Sequence, residues 1–528
     1  MTTSTHPAFQ GEHKRLRDRV SLHSSGLWFL LGAAASLLAI GQRWDVPLLA
    51  WIAPVLLLRF SRTTPVLVAL LGLMVASTAQ IAAYIVASVA PFNTVTTTLC
   101  LVLGAIFTAP FALDRLLIKR LHPLGRILLL PAAVAVVEFA SASLLPVGAS
   151  IGTRAITQGE NIALLQLTAL LGPYAIGFLI AAVATVVNEI WDTPVRATAL
   201  RFGGGLAVVL VLVFGAGQLR LAYASAHPAG ETVRIVGITP SMALREPAKD
   251  GVSMASFPAS AATLKALDTP QRNAAYQAVQ QELLANTREA ARSGAQIVVW
   301  SETAAPVFET GKTAFLQQVA ELAREEGIYI NAAIGIAYRR NETFLIGPDG
   351  RQHWHYQKNK PVPGMEPVAP VRNAPPLVQT PFGVLVNVIC FDGDFPALAR
   401  RAADIMLVPA WDWPEEGYVH TMKMARVRAV ENGYSMVRVD YDGVSAAFDP
   451  YGRVLAMQDT TPGKAHMMVV DVPIQGVNTF YGQVGDMFAW LCGLTTLALC
   501  GLALARPRLA ASPSGLSDPV AELRRVST

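Results

Sequence analysis

Long apolar stretches on either side of a polar middle constrain the fold of this chain most strongly. A helix needs about 20 apolar residues to cross a lipid bilayer. Stretches approaching that length occur at about 26–42, 46–60, 64–90, 97–118, 126–149, 162–188, 202–219 and 486–505. Only 15% of the 528 residues are charged, against about a quarter in an average soluble protein. We therefore predict eight membrane helices, seven before the polar region and one after it.

Lysine and arginine predict which side of the membrane each part occupies. They concentrate in both tails and in alternate connections between the apolar stretches, at Lys14, Arg15, Arg59, Arg62, Arg115, Lys119, Arg196, Arg201, Arg506 and Arg508. Because such residues favour the cytoplasmic side, both termini are predicted to be cytoplasmic. Seven crossings then place 226–480 outside, between a membrane domain at 1–225 and a terminal helix and tail at 481–528. Topology also explains the net charge of +5, so no nucleic-acid partner is expected.

Glu138 stands in the middle of the fifth apolar stretch. A carboxylate is costly in hydrocarbon, and an intramembrane acid therefore invites a functional interpretation. A carboxyl group that hydrogen-bonds a neighbouring helix is the alternative, and the sequence leaves both open.

The polar region alternates short β-branched runs with helical stretches. Strands are predicted at 233–238, 295–300, 383–390 and 404–410, and helices at 275–294, 313–327 and 420–433. A hairpin is predicted around the Pro-Asp-Gly turn at 348–350. This alternation predicts an α/β sandwich with helices packed outside the sheets.

Cys390 is the only cysteine outside the apolar stretches, so it has no partner for a disulfide within this region. It is either a buried small hydrophobic residue or a nucleophile. Glu302 and Lys358 also follow strands. A thiol needs a base, here Glu302, and attack on a carbonyl builds an oxyanion that a fixed cation such as Lys358 would stabilise. His420 is the alternative base.

Three segments carry a resemblance to a known family. VVWSETAAP surrounds Glu302, YQKNKPVPGMEP surrounds Lys358, and ICFDGDFP surrounds Cys390. In this order they resemble the nitrilase superfamily, and with the apolar stretches they resemble the apolipoprotein N-acyltransferase family. The resemblance implies a polytopic α-helical membrane domain joined to a nitrilase-type sandwich of α-β-β-α layers. It also implies Glu302 as general base, Lys358 as oxyanion stabiliser and Cys390 as nucleophile.

The resemblance further implies supporting roles for Glu366 and Asp392. Glu366 matches a second glutamate that supports the lysine, while Asp392 replaces the family's glutamate after the nucleophile. The family's Ser-Asn-Asp-Ala-Trp-Phe-Gly loop is replaced by PAWDWPEEG. Within that loop, Trp411 and Trp413 are candidates for interfacial anchors or walls of an acyl pocket, and plain packing is equally compatible with them. Glu138 falls where the family has a membrane glutamate.

The expected reaction has two steps. Cys390 takes an acyl chain from a phospholipid, and the N-terminal amine of a lipidated apolipoprotein then accepts it. Membrane lipid, the phospholipid donor and the apolipoprotein are therefore the expected partners of a monomer in the bacterial inner membrane, with no cofactor and no metal. A membrane-tethered amidase or hydrolase of another amide or ester is the alternative enzyme, and a non-catalytic scaffold is the alternative outside enzymes.

Overall fold

The computed structural model describes residues 24–88, 93–149, 151–228, 230–249, 266–336, 339–363, 366, 368, 370–459 and 466–505. Both basic tails used to predict sidedness, represented by Lys14 and Arg506, lie outside these residues. The described chain forms a helical bundle and an α/β sandwich, as the sequence predicts.

Among the described residues, six helices are long and apolar enough to cross a membrane. They are Val66–Ala87, Thr94–Arg120, Pro123–Leu144, Tyr174–Asp192, Arg196–Ala226 and Met487–Ala505. The first two predicted spans form the shorter helices Ser24–Leu37 and Leu49–Thr63. The outer faces of the long helices stay apolar, since Leu67, Val211 and Leu497 are 71%, 70% and 71% exposed. Exposed apolar surface on this scale is typical of contact with lipid.

The predicted span at 162–188 is wrong in its first half. Residues Ile162–Leu165 and Thr168–Leu171 form two short helices, and the long helix begins only at Tyr174. Gly172, which lies between the second short helix and the long helix, has a φ of +78°, a left-handed conformation that ends the preceding turn. It also lies against the ring of Tyr481, where a Cβ atom would approach within 2.5 Å. Pro173 directly precedes the long helix, and its fixed φ suits a helix start.

Thirteen strands in the described chain form two sheets. They are β1 Thr232–Thr239, β2 Ile297–Trp300, β3 Ala305–Val307, β4 Tyr329–Ile336, β5 Arg340–Ile346, β6 Gln352–Gln357, β7 Leu377–Thr380, β8 Gly383–Asn387, β9 Ile405–Trp411, β10 Ser435–Tyr441, β11 Val444–Phe448, β12 Val454–Asp459 and β13 His466–Pro473. The first sheet has the order β13-β1-β2-β4-β5-β6, with β3 beside β4. The second has the order β12-β11-β10-β9-β8-β7.

Helices cover the outer face of each sheet. Besides the short turns, the helices of the sandwich are Met242–Lys249, Pro270–Arg292, Lys312–Glu326, Pro396–Ala399, Pro414–Tyr418, Arg426–Asn432 and Phe480–Val484. A buried apolar cluster joins the facing sheets, while separate clusters join each sheet to its outer helices. Three cores between four layers confirm the predicted α-β-β-α arrangement.

The sandwich rests on the helical bundle through hydrogen bonds that connect the two parts. The indole Nε1 of Trp413 donates to the carbonyl oxygen of Ser88 at 2.5 Å. The backbone N–H of Ala149 donates to the carbonyl oxygen of Asp394 at 2.9 Å. Both contacts come from loops that follow strands of the second sheet, so this edge of the sandwich faces the bundle.

Candidate active site

Cys390 occupies a strained position just beyond β8. The sequence predicts a strand through residue 390, but β8 ends at Asn387 and Cys390 begins a 3-10 turn that runs to Asp394. Its φ of +47° is left-handed, which is uncommon for a residue with a side chain. Such strain clusters at functional sites. The side chain is buried, so the turn presents the thiol inside the protein.

Lys358 and Glu302 form a buried ion pair. The Lys358 Nζ lies 2.7 Å from the Glu302 Oε1, and the same ammonium contacts the Glu366 carboxylate. Asn341 on β5 donates from its Nδ2 to the same Glu302 oxygen at 2.5 Å. Burial acts to lower the pKa of Lys358, but the two carboxylates outweigh it and hold that pKa well above its usual value. Lys358 is therefore a fixed cation.

The thiol of Cys390 is held in its protonated form. Burial and the negative charge of Glu302 raise its pKa well above the usual value, although Lys358 acts in the opposite direction. A thiol in this state needs a base at the moment it attacks a substrate. Within the described part of the chain, the Glu302 Oε2 is buried and accepts no hydrogen bond. That oxygen is free to take a proton.

Glu366 shares Lys358 with Glu302, so the residue that the resemblance pairs with the lysine lies in contact with it. Burial raises the pKa of Glu366 to about 7, with Lys358 opposing and Glu302 reinforcing the shift. Residues 364, 365 and 367 of the PVPGMEP segment lie outside the described chain.

Asp392 fixes the loop that carries the lysine. It accepts hydrogen bonds from the hydroxyl group of Tyr356 at 2.8 Å and from the backbone N–H groups of Asn359 and Lys360 at 3.1 and 2.7 Å. Burial raises the pKa of Asp392 to about 6. Its contacts connect the turn after Cys390 to the segment around Lys358.

Asp412 and Arg438 lie against the sulfur, and sequence reasoning missed both. The Cys390 Sγ is 3.7 Å from the Asp412 Oδ1 and 3.9 Å from the Arg438 Nη2. Arg438 and Asp440 are charged residues inside the fully buried strand β10. Charged residues within an otherwise hydrophobic run could have pointed to this part of the site, because a buried charge requires a partner.

His420 lies behind Asp412. Its Nδ1 is 2.9 Å from the Asp412 Oδ1, and its Nε2 faces Asp394 and Glu416 at 3.6 and 3.5 Å. Burial acts to lower the pKa of His420, but the surrounding carboxylates raise it to about 9. An imidazole that is protonated at neutral pH is a poor base. This charge state favours Glu302 over His420 as the base for Cys390.

The remaining predicted residues occupy different places. The carbonyl oxygen of Trp411 is 3.9 Å from the Cys390 Sγ, and its ring packs edge-on against Tyr441. Trp413 instead contacts the bundle through Ser88. Glu138 lies in the bundle, where its Oε1 is 2.6 Å from the Nη1 of Arg154. That ion pair gives Glu138 a partner within the membrane domain.

Comparisons with known proteins match both parts of the chain. Residues 264–480 match the Carbon-nitrogen hydrolase family, and residues 31–186 match the Apolipoprotein N-acyltransferase N-terminal domain.

Relatives named apolipoprotein N-acyltransferase occur in several bacteria. The protein of Bradyrhizobium diazoefficiens is 26% identical over 77% of this chain and 78% of its own length. That of Geobacter metallireducens is 27% identical over 42% of this chain and 48% of its own length. That of Pseudomonas aeruginosa (strain LESB58) is 25% identical over 58% of this chain and 61% of its own length. The match thus spans from about half to about three quarters of these relatives.

Among solved structures, an amidase from Nesterenkonia sp. aligns with 49% of this chain and 95% of its own, at 19% identity and a TM-score of 0.37.

Proposed function

Because the chain belongs to the apolipoprotein N-acyltransferase family of bacterial membrane proteins, we propose that it transfers a fatty acyl chain from a phospholipid to the N-terminal amine of an apolipoprotein. The observation that carries this proposal is the buried Glu302–Lys358 ion pair beside the strained, buried thiol of Cys390. The pair supplies a base and a fixed cation, which are the two groups that thiol attack on an ester requires.

In the first half-reaction, the Cys390 sulfur attacks the ester carbonyl of a phospholipid. The Glu302 carboxylate takes the thiol proton, and its Oε2, which accepts no hydrogen bond within the described chain, suits this task. The Lys358 ammonium stabilises the oxyanion, together with a backbone N–H near Phe391. The ester C–O bond then breaks, the leaving oxygen takes the proton from Glu302, and a lysophospholipid departs from a Cys390 thioester.

In the second half-reaction, the amine of the lipidated apolipoprotein attacks that thioester. Glu302 takes a proton from the amine, and Lys358 stabilises the second tetrahedral intermediate. The C–S bond breaks, the amide forms, and Cys390 recovers its proton. Glu366 and Asp392 support these steps by holding Lys358 and its loop.

The place of the sandwich supports lipid substrates. Trp413, on the loop after β9, hydrogen-bonds the bundle at Ser88, while the backbone of Trp411 adjoins the sulfur. The site is thus built close to the membrane domain, where acyl chains anchored in lipid can reach it. We infer that Trp411, a residue that is 37% exposed, contacts substrate and that Trp413 positions the loop.

The proposed topology keeps the domain limits of 1–225, 226–480 and 481–528. In the described part of the chain, five of the six long helices precede the sandwich, and adding Ser24–Leu37 and Leu49–Thr63 gives seven. Both counts are odd, so each supports a sandwich on the opposite side from the N-terminus. With cytoplasmic termini the sandwich is periplasmic. One copy of the chain supplies the whole set of residues, which supports a monomer.

Mass spectrometry of the purified protein after incubation with a phospholipid of known acyl chains tests this function. We expect one acyl mass on the peptide that contains Cys390, and its loss when a lipidated peptide with a free N-terminal amine is added. The matched control is Cys100→Ser, which removes a buried cysteine of the Thr94–Leu117 helix and should leave the adduct intact. Release of lysophospholipid without an adduct would contradict the thioester. Transfer of the acyl chain to water alone would instead identify a hydrolase.

A further inference from the structure

Two charged pairs that come from different sheets act on the sulfur of Cys390. Glu302 and Lys358 follow β2 and β6 of the first sheet. Asp412 follows β9 and Arg438 stands within β10, and both belong to the second sheet. In the proposed reaction only the first pair, Glu302 and Lys358, has a role. The second pair is just as buried and touches the sulfur directly.

Arg438 is a cation whose position is fixed. Its Nη2 is 2.7 Å from the Asp412 Oδ2 and 3.9 Å from the Cys390 Sγ, and its side chain is 3% exposed. Burial acts to lower the pKa of Arg438, but Asp412 and the sulfur itself raise it. The guanidinium therefore stays charged beside the sulfur, and in such a dry place its electrostatic effect is stronger than in water.

Contacts behind Asp412 extend to the membrane domain. His420 holds the Asp412 carboxylate at 2.9 Å and faces Glu416. Glu416 accepts hydrogen bonds from the Gln42 Nε2 at 3.2 Å and from the Tyr84 hydroxyl group at 3.1 Å. Arg438 is thus held by a continuous series of buried polar contacts that ends in the bundle.

We propose that Arg438 is a further catalytic residue, which stabilises the Cys390 thiolate, and that Asp412 and His420 are its positioning residues. This inference rests on the proposed thiol chemistry. In the first half-reaction the S–H bond breaks, its proton moves to Glu302, and the charge that develops on sulfur faces Arg438. In the second, the C–S bond breaks, its electron pair returns to sulfur beside the same guanidinium, and the proton held by Glu302 restores the thiol.

The two members of the pair have opposite effects on the thiol. Arg438 and Lys358 favour the thiolate by attraction, whereas Glu302 and Asp412 disfavour it by repulsion. These four groups face the sulfur from both sheets. Removing a cation within 4 Å should therefore raise the pKa of the Cys390 thiol, and removing the Asp412 charge should lower it.

The pH dependence of Cys390 alkylation tests this assignment. Full-length protein in detergent is treated with iodoacetamide from pH 6 to 11, and peptide mass spectrometry separates Cys390 from Cys100, Cys492 and Cys500. We expect Arg438→Gln to raise the midpoint by at least about one pH unit, which slows labelling about tenfold below the midpoint. Asp412→Asn should lower the midpoint. Arg438→Lys, which keeps the charge, should restore part of the shift.

Arg428→Gln is the matched control. Arg428 is equally buried and forms an ion pair with Glu431 instead of a contact with the sulfur, so its loss should leave the midpoint unchanged. If Arg438→Gln does not fold, the alkylation midpoints of Arg438→Lys and Asp412→Asn are compared with that of the wild-type protein instead.

Unchanged midpoints, or shifts of both variants in the same direction, would overturn the proposal, because general loosening of the site has no reason to give opposite signs. Its failure is distinguishable from failure of the proposed function. Wild-type protein that forms no acyl adduct, yet gives the opposite shifts, would refute acyl transfer and leave the role of Arg438 standing.

Discussion

Two ion pairs, one in the sandwich and one in the bundle, have nearly the same separation and different surroundings. Glu302 and Lys358 approach to 2.7 Å, and Glu138 and Arg154 approach to 2.6 Å. Each joins a carboxylate to a cation from a separate segment. The first pair lies beside a strained thiol, whereas the second lies among apolar residues of the bundle. Burial and pairing of charge therefore do not mark a reactive site unless a nucleophile adjoins them.

Removing charged groups from water is unfavourable, so the presence of each pair needs a physical reason. Burying two charges costs several kcal/mol per ion, and their attraction often only offsets that cost. In the sandwich the proposed reaction supplies that reason, because a base and a cation must already be in place when the thiol attacks. In the bundle the pair connects two segments, since Arg154 belongs to the 154–158 turn and Glu138 to the Pro123–Leu144 helix. The comparison predicts that changes near the thiol reduce turnover, while changes to the membrane pair reduce stability.

The largest effect should come from Cys390→Ser, which removes the group that distinguishes the two sites. We expect acyl transfer to fall by at least about 10⁴-fold, since loss of a nucleophile removes the covalent route. The melting temperature should change little, because serine is close to cysteine in size. Turnover assays with a phospholipid donor and a lipidated peptide, together with thermal unfolding in detergent, provide the measurement. Normal turnover would rule out thioester chemistry.

Glu302→Gln should slow both half-reactions by roughly 10³-fold, because the amide cannot accept the thiol proton or the amine proton. The side chain keeps its size and its contact with Asn341. Single-turnover kinetics separate formation of the Cys390 acyl adduct from its transfer to the amine. A variant that slows only one of the two steps would contradict the assignment of Glu302 to both.

Much of this site could be predicted from the sequence because its three main residues share one local feature. Glu302, Lys358 and Cys390 each follow a strand, and strand ends at the same edge of a sandwich come together. The alternating pattern also predicts the two-sheet architecture. Local pattern could not predict that β8 stops at Asn387, because the left-handed turn at Cys390 depends on surrounding tertiary contacts.

The contacts of Asp412 and Arg438 depend on the order of strands, which local sequence does not encode. These residues meet because β9 and β10 are parallel neighbours, with Arg438 opposite Val408 in the register. The predicted length of the sixth membrane span was wrong for a related reason. Apolar composition at 162–171 is compatible with a membrane span, but Gly172 turns the chain where it meets Tyr481 from a distant segment.

Lys358→Ala should slow formation of the acyl adduct about 10²- to 10³-fold, as expected when an oxyanion loses its fixed cation. It also leaves the buried carboxylate of Glu302 and the partly buried carboxylate of Glu366 without their shared partner. We therefore expect a loss of about 3–5 kcal/mol in the free energy of unfolding, the usual cost of breaking a buried pair. Lys358→Arg serves as the control, since it keeps the charge and should retain more of the stability than of the activity. Adduct formation at the normal rate in folded Lys358→Ala would refute the role of the lysine.

Glu138→Gln should have the smallest effect on catalysis and provides the sharpest test of the comparison. Because the partner of Glu138 is Arg154 and not the thiol, we expect acyl transfer to change less than about threefold. Stability in detergent should fall, since the guanidinium loses its carboxylate in a largely buried place. A double-mutant cycle with Arg154→Gln isolates the energy of the pair, and the double variant should be less destabilised than the two single effects added together. If folded Glu138→Gln instead loses adduct formation at Cys390, then the membrane carboxylate takes part in the reaction, and the distinction between the two ion pairs fails.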